Sequence, residues 1–241
     1  MITLYQFAPA LGVRNPSPLC LKLETYLRMA DLPYQIAANA DLLKAPKRKF
    51  SYITDKGRTI ADSGFIIKYL KETYGDPLDA RLTPKQTGAA LGMRRLMEEH
   101  LYWVAFYFRW VDEKNWKVIK DTFFTDLPFP LRLIAPSVAR SKAMRDLYGQ
   151  GIGRHSRNEV LDLGCENIRA ISDFLSDQPY LLGNEPTSLD ATGYGTLINI
   201  IGASLDSPLK SYTLGFNNLV EYCDRMHARY WSDAIPEPVT V

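Results

Sequence analysis

Residues 14–24 read Arg-Asn-Pro-Ser-Pro-Leu-Cys-Leu-Lys-Leu-Glu, and they carry the side chains best placed for chemistry. An apolar strand pattern over residues 2–7 precedes them, and an amphipathic helix pattern follows from 18 to 30. Pro18 suits the first helical position and Ser17 the cap before it, which puts a hydroxyl at the mouth of a helix. That mouth presents unpaired N–H groups and a partial positive charge. It favours an anion such as a thiolate, and a donated hydroxyl hydrogen bond stabilises that anion further. A free thiol with a pKa near ~8.5 is mostly protonated at neutral pH, and lowering that pKa by one unit takes only about 1.4 kcal/mol. Ser17 read alone is equally a plain helix cap. Cys20, in the same helix pattern, is a second nucleophile by type, and its place beyond the cap predicts that it points along another face.

Composition narrows the classes. The chain has 241 residues, 46% hydrophobic and 12% aromatic, enough for one large domain or two modest ones with proper cores. A net charge of +2 gives no global attraction to nucleic acid. Lys44, Lys47, Arg48 and Lys49 form a basic run that reads first as a solvated loop and is too local for a nucleic-acid interface. Cys20, Cys165 and Cys223 are widely spaced, with no zinc pattern and no CxxC pair, which points to a reducing cytoplasm rather than secretion. The first residues lack the basic start of a signal peptide, and no run approaches about 18 uninterrupted apolar residues, so no membrane span is expected. His100, His155 and His227 are scattered without metal-ligand spacing, so no metal is expected. Gly149 to Gly153 is glycine-rich but follows no strand and matches neither nucleotide fingerprint. No Gly-x-Ser-x-Gly elbow is present.

The elements that must position these residues fall into two groups. Strand patterns at 2–7, 34–37, 51–54 and 58–61 alternate with helix patterns at 18–30 and 63–74, and Asp55-Lys56-Gly57 marks a hairpin. The order β-α-β then β-β-α predicts a small mixed sheet with a right-handed parallel crossover and an antiparallel hairpin, the pattern of a thioredoxin-like α/β domain over residues 1–76. After a linker to residue 84 the strand signals stop. Helix patterns at 85–111, 156–176, 188–203 and 216–231 predict an all-helical domain over 84–241, with residues 112–155 broken by Pro128, Pro130 and Pro136. Residues 101–110 are dense in aromatics: Tyr102, Trp103, Phe106, Tyr107 and Trp110 cover more than one helix face. One face must pack into the core, and the remainder is free to line a cleft against the first domain.

This architecture resembles the cytosolic glutathione transferases, and several motifs carry the resemblance. Ser17-Pro18 followed by Lys22-Leu23 is similar to the first helix of serine- and cysteine-type transferases. Asp62-Ser63, opening a helix after the hairpin, resembles their γ-glutamyl-binding motif, and Thr187-Ser188-Leu189-Asp190 resembles the capping box of their helical domain. More narrowly, residues 17–28 and Asn218 to Cys223 resemble the branch related to failed axon connections proteins and metaxins.

The resemblance implies that Ser17 holds the glutathione thiolate. It implies that Ser63, with its helix mouth, receives the γ-glutamyl carboxylate, that Asp62 holds the ammonium, and that Lys49 meets the glycyl carboxylate. Glutathione is then the co-substrate, without a metal, and the second substrate is a small hydrophobic electrophile taken by the aromatics of 101–110. A cytoplasmic homodimer in detoxification is expected on the same ground. The chain departs from the family at Phe50-Ser51, where a proline with a cis peptide normally precedes the third strand. Either this bond is trans and the loop differs, or a cis bond is held by packing. Phe50 and Ser51 are the expected partners of the cysteinyl backbone. Two other readings stand beside the enzyme: a non-catalytic, metaxin-like interaction protein, and a thiol transferase acting through Cys20.

Overall fold

The computed structural model describes residues 1–38, 40–42 and 44–232; Asn39 and Leu43 of the expected basic loop, and 233–241 of the expected helical domain, lie outside them. Four strands form one sheet in the order β2-β1-β3-β4. β1 (Ile2–Tyr5) runs parallel to β2 (Tyr34–Ile36) and antiparallel to β3 (Tyr52–Asp55), which pairs antiparallel with β4 (Arg58–Ala61). Lys56 and Gly57 both have positive φ, as a type I′ hairpin turn requires, so the turn chemistry sets the β3–β4 register. The Phe50–Ser51 peptide is cis, the second of the two arrangements expected there.

α1 (Pro18–Met29) and α2 (Ser63–Tyr74) complete the thioredoxin-like half. The rest is helical: α3 (Pro84–Arg95), a π-helical turn (Leu96–Leu101), α4 (Tyr102–Trp110), α5 (Glu113–Phe123), α6 (Leu131–Gln150), α7 (Arg157–Leu175), α8 (Ser188–Ile201), α9 (Pro208–Leu214) and α10 (Asn217–Tyr230). The helix expected over 85–111 is thus one continuous run with a widened turn, and that turn carries Glu98 and His100. Pro136 does not break its segment; it lies buried inside α6, where packing offsets the lost backbone bond. α9 was not expected from periodicity because it is too short, although Ser207-Pro208 is a regular start signal and the Ser207 side chain accepts from Lys210 N–H.

The two halves share one core. Leu4 and Ile53 of the sheet, Leu23 and Leu27 of α1, and Tyr194 and Leu197 of α8 belong to the same buried cluster. α1 and α8 meet backbone to backbone at Gly195. A Cβ on Gly195 would stand 2.7 Å from the Pro18 carbonyl oxygen and 2.9 Å from the Lys22 backbone nitrogen. At its far end α8 is set by Thr187 and Asp190: Asp190 accepts from Thr187 N–H at 2.7 Å, Leu181 N–H at 2.9 Å and Tyr222 O–H at 3.2 Å.

Replacing a mid-helix glycine with alanine ordinarily gains about 1 kcal/mol of helix stability. At Gly195 the overlap is with backbone, which cannot swing away, so Gly195→Ala is expected to lower stability by about 1–3 kcal/mol. Urea unfolding followed by circular dichroism measures the sign; a gain in stability would show that α1 and α8 are not in this contact.

Candidate functional site

Ser17 caps α1 at the end of a loop that is fixed from three sides. Asn15 is fully buried; its amide donates to the Phe7 carbonyl at 2.9 Å, and its Oδ1 accepts from Ser17 N–H at 3.0 Å. The Arg109 guanidinium on α4 donates to the Pro16 carbonyl at 2.6 Å, and the Asn199 amide on α8 donates to the Asn15 carbonyl at 3.1 Å. Burial pushes the Arg109 pKa down. Ser17 Oγ accepts from Cys20 N–H at 3.4 Å, and the hydroxyl also stands close enough to the Cys20 thiol to donate to it. The hydroxyl is half-buried at a positive helix mouth, where an incoming anion would compete with the neutral Cys20 thiol for its proton. Asn15, Arg109 and Asn199 escaped the sequence reading. Asn15 sits two residues before Ser17, the spacing of an Asx turn, and so had a signal; the other two reach the loop only through the fold.

Cys20 does not point away from this region, which corrects the expectation. It is wholly buried beside the Ser17 and Ser51 hydroxyls and the Phe7 backbone amide. Burial raises its pKa to about 11, against the lowering by those three donors. Ser17 and Cys20 therefore share one helix mouth with opposite properties: the hydroxyl is reachable, and the thiol is shut in and neutral.

Ser51 is buried, and its hydroxyl has no partner of hydrogen-bond length, although it stands near enough to Cys20 to favour a thiolate. Phe50 packs edge-on against Phe7 at 4.9 Å and lies over Tyr52 at 6.1 Å. Lys49 is exposed and makes no hydrogen bond or ion pair among the described residues. The Ser51 carbonyl accepts from Asp62 N–H at 3.4 Å, which sets Phe50–Ser51 beside the mouth of α2.

At that mouth Asp62, not Ser63, is the cap. Its φ is +83°, a strained value for a residue with a side chain, and Gly64 N–H and Phe65 N–H donate to its Oδ1 at 2.9 and 3.4 Å. Ser63 occupies the first turn and is buried, and the Lys22 ammonium donates to its Oγ at 3.2 Å. Lys22, only 1% exposed, is paired at 2.5 Å with Glu98 of the π-helical turn, to which Thr192 O–H also donates at 3.4 Å. Burial pushes the Lys22 pKa down while Glu98 opposes it.

The aromatics of 101–110 divide. Tyr102, Phe106 and Trp110 recur every four residues and pack in sequence at 5.8 and 5.6 Å, with Trp103 edge-on to the first two. These four rings are half-buried. Tyr107 is turned into the core with Val104 and Phe108 and is not available to a cleft, because it lies toward the buried face of the helix. Among the described residues no group of acidic, cysteine and histidine side chains gathers as a metal site, and no helix is long and apolar enough to cross a membrane.

A glutathione S-transferase N-terminal domain model matches residues 18–115 and a glutathione S-transferase C-terminal domain model matches 164–226. Over 244 residues the chain is 34% identical to the isoprene-epoxide–glutathione S-transferase of Rhodococcus sp. strain AD45, covering 95% of this chain and 99% of that one. It is 30% identical to failed axon connections of Drosophila melanogaster, over 97% of this chain and 59% of that one, and 25% identical to metaxin-2 of Homo sapiens, over 88% and 82%. The fold matches the glutathione S-transferase CsGST63524 of Ceriporiopsis subvermispora, solved with glutathione, with a TM-score of 0.68 at 17% identity over 98% and 99% of the two chains. The chain belongs to the glutathione transferase family, on the side that also includes the failed axon connections and metaxin relatives.

The cysteine environments give a direct check. At neutral pH a thiol reagent is expected to label the half-buried Cys165 and to leave Cys20 and Cys223 unmodified until the protein is unfolded, when all three react. Peptide mass spectrometry reads the positions. Rapid native labelling of Cys20 would restore the thiol transferase reading.

Proposed function

We propose that this protein is a glutathione transferase in which the Ser17 hydroxyl holds the glutathione thiolate for attack on a hydrophobic electrophile. The observation that carries the reading is the Ser17 hydroxyl itself: set on a loop fixed by the Asn15–Arg109–Asn199 clamp, half-buried at a positive helix mouth, with only a neutral thiol beside its proton. The side chains of the first domain suit a tripeptide: Ser51 offers a buried hydroxyl without a partner, Ser63 a buried hydroxyl whose oxygen accepts from Lys22, and Asp62 an exposed carboxylate. Lys49 is free to meet the far carboxylate.

The chemistry is brief. The thiol proton passes to solvent or buffer, and Ser17 O–H donates to the sulfur and favours its ionised form. The sulfur lone pair forms a carbon–sulfur bond as the electrophile's leaving group departs or its strained ring opens. Proximity and thiolate stabilisation supply the acceleration. The exposed edges of Tyr102, Trp103, Phe106 and Trp110 favour a flat apolar second substrate. The Rhodococcus relative has isoprene epoxide in its name, which makes a small epoxide the first substrate to try. A cytoplasmic homodimer with a role in detoxification belongs to the same proposal. The exposed Phe129, Leu131, Ile134 and Val138 offer a second copy an apolar surface to cover.

The second reading, a non-catalytic interaction protein, is favoured by the failed axon connections and metaxin relatives and by serine in place of proline at position 51. Glutathione at 100 times its dissociation constant is expected to stabilise the fold by about 2.7 kcal/mol. No thermal shift at millimolar glutathione would favour the second reading. With binding in hand, Ser17→Ala is expected to lower kcat/KM by about tenfold to a hundredfold and to raise the pKa of the bound thiol, with little change in glutathione affinity. Unchanged turnover would remove Ser17 from the mechanism.

A further inference from the structure

A cavity of about 220 Å³ opens where the ends of β1 and β2, the middle of α1 and the residue after α10 come together. Phe7, Pro9, Ile36, Ala37 and Phe50 give it apolar walls, and Gln6, Glu24 and Trp231 bring polar atoms to it. Ser17, Ser51, Asp62, Ser63 and the rings of α4 do not line it. It is therefore a different place from the site described above.

Two side chains of this lining each keep a buried polar atom without a partner among the described residues. Gln6 is 6% exposed, and its amide nitrogen donates to Glu24 Oε2. A carboxylate takes only the nitrogen end of an amide, so the carbonyl Oε1 is the atom left over. Trp231 is 1% exposed, and its indole N–H has no acceptor. The Arg28 guanidinium stands 4.1 Å from the centre of that ring, and a cation on the ring face draws electron density from the indole and strengthens its N–H as a donor. The charges nearby are already answered. Glu24 accepts from Tyr34 O–H at 2.9 Å and faces Arg28 at 3.7 Å, and Arg14 donates to the Trp231 carbonyl at 3.2 Å. What these two side chains leave open is one neutral acceptor and one neutral donor.

Buried polar atoms without partners are costly and rare. Water filling a space of this size would number roughly seven molecules, and walls this apolar give most of them too few partners. An apolar body that displaces such water gains affinity. We propose that the cavity is a binding site, separate from that for glutathione, for a small neutral molecule that carries an amide or a hydroxyl on an apolar body. Its N–H or O–H donates to Gln6 Oε1, and its oxygen accepts from Trp231 Nε1–H. The site does not depend on the transferase reading.

The probe is benzamide, followed by proton–nitrogen correlation NMR, in which the indole signal missing from Trp231→Phe identifies Trp231. Benzamide up to about 10 mM is expected to move that signal along a saturable curve, with the same midpoint in millimolar glutathione. Acetophenone has the same shape but a methyl group in place of the amide NH₂, so it cannot donate to Gln6; it is expected to bind about tenfold more weakly. Trp231→Phe keeps most of the ring packing and loses the N–H. Read at the Ile36 and Ala37 amide signals, it is expected to weaken benzamide about tenfold. If that variant does not fold, the acetophenone comparison decides. No saturable shift at Trp231, which would leave water alone in the cavity, would overturn the assignment. So would equal affinity for the two probes, or displacement of benzamide by glutathione.

Discussion

α8 passes so close to α1 at Gly195 that a side chain there would overlap the α1 backbone, and the site depends on this contact. The absence of a side chain there brings the α8 axis against the Pro18–Lys22 turn. That contact sets the height of the α1 mouth relative to α4 and α8, and so decides whether Arg109 and Asn199 can reach the loop ahead of Ser17. It also brings Lys22 within reach of Glu98. A larger residue would separate the halves and loosen all of these together.

Burial then divides the labour at one helix mouth. Ser17 and Cys20 feel the same N-terminal field, which favours an anion near either. The field is worth less than complete removal from water, so Cys20 stays protonated despite three nearby donors. Ser17 has no charge to lose and is only half-buried, which is why the proposed mechanism gives the incoming thiolate to it and not to Cys20. The fold spends its cysteine on packing and presents an alcohol to the solvent side.

The chain is similar in sequence to relatives whose names speak of transfer and to relatives whose names do not. In this chain the joint between the mixed sheet and the helical bundle is polar at its centre, through Lys22, Glu98, Ser63 and Thr192, and apolar around it. A polar centre fixes the relative setting of the two halves more tightly than oil alone, because charges must meet partners at defined distances. That precision suits a cleft lined by both halves.

Much of the architecture was legible in the residues themselves. The alternation of residues 2–7, the Ser17-Pro18 start and the Lys56-Gly57 turn are local signals, and each acts within a few residues of chain. They set the elements of the first half, the placement of a hydroxyl at the first helix mouth and the Asp62-Ser63 start of the second, but not α5, α6 or α9. Local signals could not decide which way Cys20 faces, that Tyr107 is buried in the core while Tyr102, Trp103, Phe106 and Trp110 are only half-buried, or that Pro136 lies within a helix. Nor could they reveal that Arg109, Asn199, Lys22 and Glu98 converge on Ser17 and Ser63. Those outcomes depend on burial and on contacts between residues far apart in the chain, and such contacts exist only once packing has brought the surfaces together.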